Sequence, residues 1–174
     1  MTTRGSEGAE PGFAAKIATR AALAGRVAAL ARPRVFTNGV FDVLHRGHVT
    51  YLDRARNLGA SLIVGVNTDA SVRRLGKGGD RPVNALGDRL AVLAALEAVS
   101  LVVAFDEETP LALVLACHPD IIVKGGDYSA ATTVGAAEVI AWGGRFEAIP
   151  VVPECSTSVL LARIRRSPHP TDRI

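Results

Sequence analysis

Residues 37–48 read Thr37-Asn38-Gly39-Val40-Phe41-Asp42-Val43-Leu44-His45-Arg46-Gly47-His48. A short apolar, β-rich run enters this stretch and a helical pattern leaves it, which makes it the turn between a first strand and a first helix. Gly39 lets the chain turn and lets a ligand approach the backbone. Gly47, beside the helix start, leaves room for a bulky group over free amides and the positive end of the helix dipole, a setting that suits phosphate. His45 and His48 are three residues apart, so a helical first turn places both imidazoles on one side, next to that positive end. They suit the role of donors to an oxyanion. A metal site would need three or four ligands, and neither a nearby Cys pair nor a His-Glu constellation completes one.

Working outward, the same alternation repeats. Strands are expected over 35–37, 62–66, 101–104, 121–123 and 146–151, and helices over 47–58, 87–98, 110–117, 135–142 and 156–165. Strands that are apolar on both faces and separated by helices imply a parallel sheet covered on each side by right-handed crossovers. The expected fold is a single α/β domain, a doubly wound, Rossmann-like parallel sheet of five strands, whose ligands bind beyond the carboxyl ends of the strands. Residues 33–166 form this domain. The Gly/Glu/Thr-rich residues 1–12 are expected to be disordered, the Ala-rich residues 13–32 to form an accessory helix before Pro33, and residues 167–174 to be a flexible tail.

Composition narrows the function classes. A chain of 174 residues with 48% hydrophobic and 21% charged residues folds around one core and is not intrinsically disordered. No uncharged apolar run approaches the ~18 residues of a membrane helix, and no secretory leader pattern opens the sequence, so a cytoplasmic protein is expected, without membrane partners. Cys117 and Cys155 are the only cysteines and read as reduced thiols. The formal net charge is +3, but residues 1–33 hold five basic and two acidic groups and residues 163–174 four and one, which leaves 34–162 with eleven and fourteen. With an acidic core and 5% aromatics, there is no basic stripe for a nucleic acid to follow.

Asn38 to His48 resembles the signature of the cytidylyltransferase-like nucleotidyltransferases, whose Gly-x-Phe-Asp-x-x-His-x-Gly-His pattern is met at every fixed position. The likeness continues through Asn67-Thr68-Asp69, Lys77, Arg81-Pro82-Val83-Asn84, Arg89, Val123-Lys124-Gly125-Gly126-Asp127-Tyr128 and Cys155-Ser156-Thr157-Ser158. The Arg-Pro-Val-Asn and Val-Lys-Gly-Gly-Asp-Tyr segments in particular are similar to those of the D-glycero-β-D-manno-heptose 1-phosphate adenylyltransferases, in their stand-alone form.

The resemblance implies transfer of the AMP moiety of ATP to heptose 1-phosphate with release of pyrophosphate, giving ADP-heptose for lipopolysaccharide core assembly. In-line displacement at the α-phosphorus gains most from positioning and charge stabilisation, and the sugar phosphate needs no general base to become a nucleophile. His45, His48 and Lys77 then act as catalytic groups, with Mg²⁺ held mainly by the triphosphate and no metal bound by protein side chains. Nucleotide contacts fall to Asn38, Gly39, Val40, Phe41 and Gly47 in the motif, to Arg89, and to Lys124, Gly125 and Asp127 after the fourth strand. Ser156, Thr157 and Ser158 complete the set as a β,γ-phosphate site, although a Ser-Thr-Ser run also caps a helix with no ligand at all. Asp42, Asn67, Asp69 and Tyr128 are expected on the acceptor side. Lysine usage fits this reading: the chain has seventeen arginines and only three lysines, and two of these, Lys77 and Lys124, lie in matched segments.

Spacing alone does not separate adenine from cytosine. A CTP-dependent enzyme for glycerol 3-phosphate, choline phosphate or ethanolamine phosphate is the alternative, and a non-catalytic nucleotide sensor is a second. A fragment of a class I aminoacyl-tRNA synthetase shares the His-x-Gly-His element, but the chain has no convincing Lys-Met-Ser-Lys-Ser loop. Related members form dimers, so a homodimer is one expected assembly.

Overall fold

A computed structural model describes residues 10–76, 81–153 and 155–166. Its centre is a parallel sheet: β2 (Arg34–Gly39), β3 (Ser61–Asn67), β4 (Leu101–Phe105), β5 (Ile121–Gly125) and β6 (Arg145–Ile149), with a two-residue edge strand β1 (Ile17–Ala18). The order is β1-β4-β3-β2-β5-β6, every pair parallel. All seven residues of β3 are buried, as expected of a central strand covered on both faces.

Alternate side chains along each strand feed two cores, because successive Cβ atoms point to opposite faces. Phe36, Ile63 and Val103 pack with α1 (Leu23–Ala28), α5 (Leu111–Cys117) and α6 (Ala136–Ala141). Val35, Leu62 and Val64 pack on the other face with Leu52 and Ala55 of α2 (Arg46–Arg56) and with Leu93 and Ala94 of α4 (Leu86–Ala95). Two further helices, α3 (Asp69–Arg74) and α7 (Thr157–Arg166), start near the carboxyl edge of the sheet. Among the described residues no helix is long and apolar enough to cross a membrane.

Two expectations need correction. Residues 13–32 are not one helix; they form a 3₁₀ turn over Gly12–Lys16, then β1, then the short α1. The cause is the exposed edge of β4, whose backbone groups are met by β1 in the register Ile17↔Val102 and Ala18↔Val103. The sheet therefore has six strands rather than five. The second difference is α3, which no periodicity announced; Thr68 starts it, its Oγ1 accepting from the Ser71 amide at 3.1 Å. The expectations for residues 1–9 and 167–174 lie outside the described residues.

The topology sets the site. β2 has β3 on one side and β5 on the other, so the chain order reverses between β2 and β5, where a crevice opens beyond the strand ends. The registers show the opening: β2 pairs with β3 over all six residues, but with β5 only at Val35↔Ile121 and Phe36↔Ile122. Beyond that point side chains bridge the diverging strands. The Tyr51 hydroxyl lies 2.7 Å from Thr37 Oγ1 and donates to the Val123 carbonyl at 3.2 Å, and Lys124 Nζ donates to the Asn38 carbonyl at 3.2 Å and to Asn38 Oδ1 at 2.6 Å.

Candidate active site

Two clefts open over this crevice. The first, of about 320 Å³, runs from Gly39 and His45 to Gly125, Tyr128 and Val151; the second, of about 480 Å³, lies beside Asp42, Arg81 and Ser158. They share Val40, Phe41, His48 and Thr157. His48 thus stands at the junction, where a group passing from one ligand to another would have to sit.

The local chain explains this placement. His45 is the extended residue before α2 (φ −144°, ψ 171°), and its carbonyl accepts from the His48 amide at 2.9 Å, so the helix begins at once and brings residue i+3 over residue i. The two imidazoles stack, and the Phe41 ring meets His48 edge-on with centroids 5.4 Å apart. Phe41 takes a left-handed φ of 48°, unusual for a bulky residue, and Gly39 accommodates its ring: a Cβ there would lie 3.1 Å from Phe41 Cε2. Gly47 is required by the protein itself as well as by any ligand, since a Cβ would lie 2.9 Å from Cys155 Cβ and 3.0 Å from His45 Nδ1.

Electrostatics follow from burial. Desolvation, and secondarily the charge of His45, push His48 down to about 4, while burial also lowers His45. Both rings are therefore neutral near pH 7. The Nδ1 atoms of both are buried and have no hydrogen-bond partner among the described residues. The Tyr51 hydroxyl, pushed up to about 12 by burial, stays protonated as a donor.

The structure brings most of the expected nucleotide residues together and sets others aside. Asn38, Gly39, Val40, Phe41, Gly47, Lys124 and Gly125 line the first cleft with both histidines, as do Tyr128, Ser156 and Thr157. Ser158 lines the second. Ser156 does cap α7, its Oγ accepting from the Val159 amide at 3.2 Å, and the Thr157 hydroxyl donates to the Val43 carbonyl at 3.2 Å, tying α7 to the motif loop. Asp127 is exposed and lines neither cleft. Lys77 lies outside the described residues.

Arg89, Asn67 and Asp69 are the clearest corrections. Arg89 is 2% exposed and cannot reach out to a phosphate. Its guanidinium donates to the carbonyls of Asn84, Val40 and Asn67 and pairs with Asp69 Oδ1 at 2.6 Å. Asn67 is itself buried with its Nδ2 on Ser71 Oγ at 2.9 Å, and Asp69 Oδ2 accepts from the Leu86 amide at 3.3 Å. These three residues line neither cleft. They form a brace joining the loops after β2 and β3 to the segment before α4. A planar five-donor group is suited to holding three carbonyls and a carboxylate together.

Asp42 departs from expectation in a similar way. Its side chain is fully buried; Oδ1 accepts from the amides of Val83 and Asn84 at 2.8 and 2.9 Å, and Oδ2 lies 2.6 Å from Arg81 Nε in an ion pair. Asn84 Nδ2 donates back to the Asp42 carbonyl. Asp42 therefore anchors the Arg81–Asn84 segment rather than meeting a ligand. Tyr51 and Val151 line the first cleft and Arg81 the second without a motif signal for any such role; for Tyr51 the one signal in the sequence is its place one helical turn from His48.

Comparison with known proteins agrees with this geometry. The cytidylyltransferase-like family model matches residues 36–152. A D-beta-D-heptose 1-phosphate adenylyltransferase of Bordetella bronchiseptica is 59% identical over 156 residues, which cover 88% of this chain and 96% of that protein. The bifunctional protein HldE of Methylobacillus flagellatus is 55% identical over 130 residues, 75% of this chain but 26% of that protein. Among solved structures, the lipopolysaccharide core biosynthesis protein of Thermoplasma volcanium superposes with TM-score 0.57 at 30% identity, covering 68% of this chain and 95% of that one. Pantothenate synthetase of Thermus thermophilus, at 20% identity and TM-score 0.57 over 80% of this chain and 63% of that one, shares the fold. With its motif at the mouth of the β2–β5 crevice and this match across most of the domain, the chain belongs to the cytidylyltransferase-like family.

Proposed function

We propose that the chain is an adenylyltransferase that transfers AMP from ATP to D-glycero-β-D-manno-heptose 1-phosphate, forming ADP-heptose and pyrophosphate. The observation that carries this reading is the stacked pair His45 and His48 at the junction of two clefts, in a chain 59% identical to a heptose 1-phosphate adenylyltransferase. ATP occupies the first cleft, its base toward Gly125, Tyr128 and Val151 and its phosphates toward Gly47, Ser156 and the α2 amides. The acceptor enters from the second cleft. An acceptor phosphate oxygen attacks the α-phosphorus, the bond from that phosphorus to the bridging oxygen breaks, and pyrophosphate leaves with the electron pair.

The protein's part is positioning and charge stabilisation. Neutral imidazoles donate to the non-bridging oxygens, and nearby phosphate charge favours protonation of either ring as negative charge builds up. Mg²⁺ would arrive on the triphosphate and lower its charge. Among the described residues Asp42 is the one carboxylate lining either cleft, and its Oδ1 accepts two amides while its Oδ2 pairs with Arg81, which supports a metal carried by the nucleotide. The reaction belongs in the cytoplasm, where ATP is supplied, and the product feeds lipopolysaccharide core assembly.

Isotope tracing tests the reaction. With Mg²⁺ and heptose 1-phosphate, label at the α-phosphorus of ATP should appear in a product with the mass of ADP-heptose, and label at the γ-phosphorus in pyrophosphate. Release of γ-label as inorganic phosphate, with no α-label in a sugar nucleotide, would exclude AMP transfer.

A further inference from the structure

The second cleft holds a cation, Arg81, that none of the roles described above uses. Arg81 lines it together with His48, Thr157 and Ser158, and among the described residues no other lysine or arginine does so. The Arg81 side chain is 13% exposed and that of its partner Asp42 is fully buried, with Nε lying 2.6 Å from Oδ2. Asp42 is fixed in turn by the amides of Val83 and Asn84. A guanidinium held through Nε keeps its two terminal nitrogens as a donor pair of fixed direction, and none of the described residues accepts a hydrogen bond from them. Such a pair matches the oxygens of a phosphate monoester.

Resting on the adenylyltransferase reading, we propose that Arg81 is the acceptor-side specificity residue: it receives the phosphate group of the sugar 1-phosphate in the second cleft, and Asp42 is the positioning residue that aims it. The buried carboxylate keeps the cation from swinging into the first cleft, where it would compete for the triphosphate. His48 then lies between an arginine that holds the attacking phosphate and the α2 terminus that holds the nucleotide. The division also fits a cleft in which, among the described residues, no carboxylate but the Arg81-paired Asp42 appears, since repulsion of a dianionic substrate would be costly there.

Steady-state kinetics on the full chain with Mg²⁺, ATP and heptose 1-phosphate test the assignment with Arg81→Gln and Arg81→Lys. Loss of a charged pair of hydrogen bonds to one substrate should raise the KM for heptose 1-phosphate on the order of 10- to 100-fold in Arg81→Gln, with the KM for ATP within about twofold of wild type. Arg81→Lys keeps a charge but loses the fork, and should recover only part of this loss. An unchanged KM for heptose 1-phosphate, a parallel rise in both KM values, or failure of both variants to fold would make Arg81 structural and overturn the proposal. Wild-type silence with heptose 1-phosphate would overturn the underlying reading instead. In that case the KM split, measured with whichever phosphate monoester the wild type does turn over, still decides the role of Arg81.

Discussion

The imidazole rings of His45 and His48 stack with centroids 3.9 Å apart and planes inclined by 28°. Two cations that close would repel, and burial already disfavours charge on each ring, so the protein alone holds the pair neutral. An incoming triphosphate reverses the balance, because opposite charge within a few ångströms favours the protonated form. ATP binding should therefore take up protons at pH values below the ordinary histidine pKa of about 6.5. Calorimetry of ATP binding in buffers of different ionisation enthalpy measures this, and His48→Ala should reduce the uptake. Heats independent of the buffer would mean that neither imidazole takes up a proton with the nucleotide.

The same shift ties stability to pH. His48 titrates near 4 in the folded chain and near 6.5 when unfolded, so between these values the unfolded chain binds the proton and the folded chain does not. Stability contributed by neutral His48 is thus fully present above about pH 6.5, is lost as pH falls, and changes no further below about 4. Discounted for partial exposure, the loss is on the order of 1 to 2 kcal/mol between pH 7 and pH 5. Urea unfolding at both values should show a steeper decline in wild type than in His48→Ala. That variant should also fold normally while turning over on the order of 10² to 10³ times more slowly.

Gly47→Ala should injure the site from within. The new Cβ would lie 2.9 Å from Cys155 Cβ and 3.0 Å from His45 Nδ1 and Cε1, so either the 155–157 segment or the His45 ring must move. A cost of about 1 to 3 kcal/mol in stability is expected, with ATP affinity falling further than stability alone explains. Thermal melts and nucleotide titration check both parts.

Arg89→Leu separates a brace from a phosphate contact. Truncation leaves Asp69 without its cation and three carbonyls short of a donor, and with Asp69 half-buried the loss is on the order of 2 to 4 kcal/mol. Denaturant unfolding should show this loss without any nucleotide present. A variant with wild-type stability and a raised KM for ATP would restore Arg89 to the phosphate site.

The sheet, its parallel direction and the location of the site were legible because strand and helix periods alternate from Arg34 onward, with the short α3 the one helix they did not announce, and because Gly39, Gly47, His45 and His48 sit at fixed spacing on one strand-to-helix turn. The edge strand was not. Ile17 and Ala18 are extended only because β4 offers them a ladder, and an Ala-rich segment read alone favours a helix. The roles of Arg89 and Asp42 were hidden for a related reason. A charged residue in a matched motif reads as a ligand contact, whereas here each is buried by partners 20 or more residues away in sequence, Asp69 for Arg89 and Arg81 to Asn84 for Asp42.

If the stacked histidines join an ATP cleft to a sugar-phosphate cleft, pyrophosphate release with Mg²⁺ depends on both substrates at once. ATP or CTP is paired in turn with heptose 1-phosphate, glycerol 3-phosphate and ethanolamine phosphate. Rapid release is expected with ATP and heptose 1-phosphate, and at least about tenfold slower release in every other pair. Faster release with CTP and an alcohol phosphate, or no release in any pair from a chain that binds ATP, would overturn this arrangement.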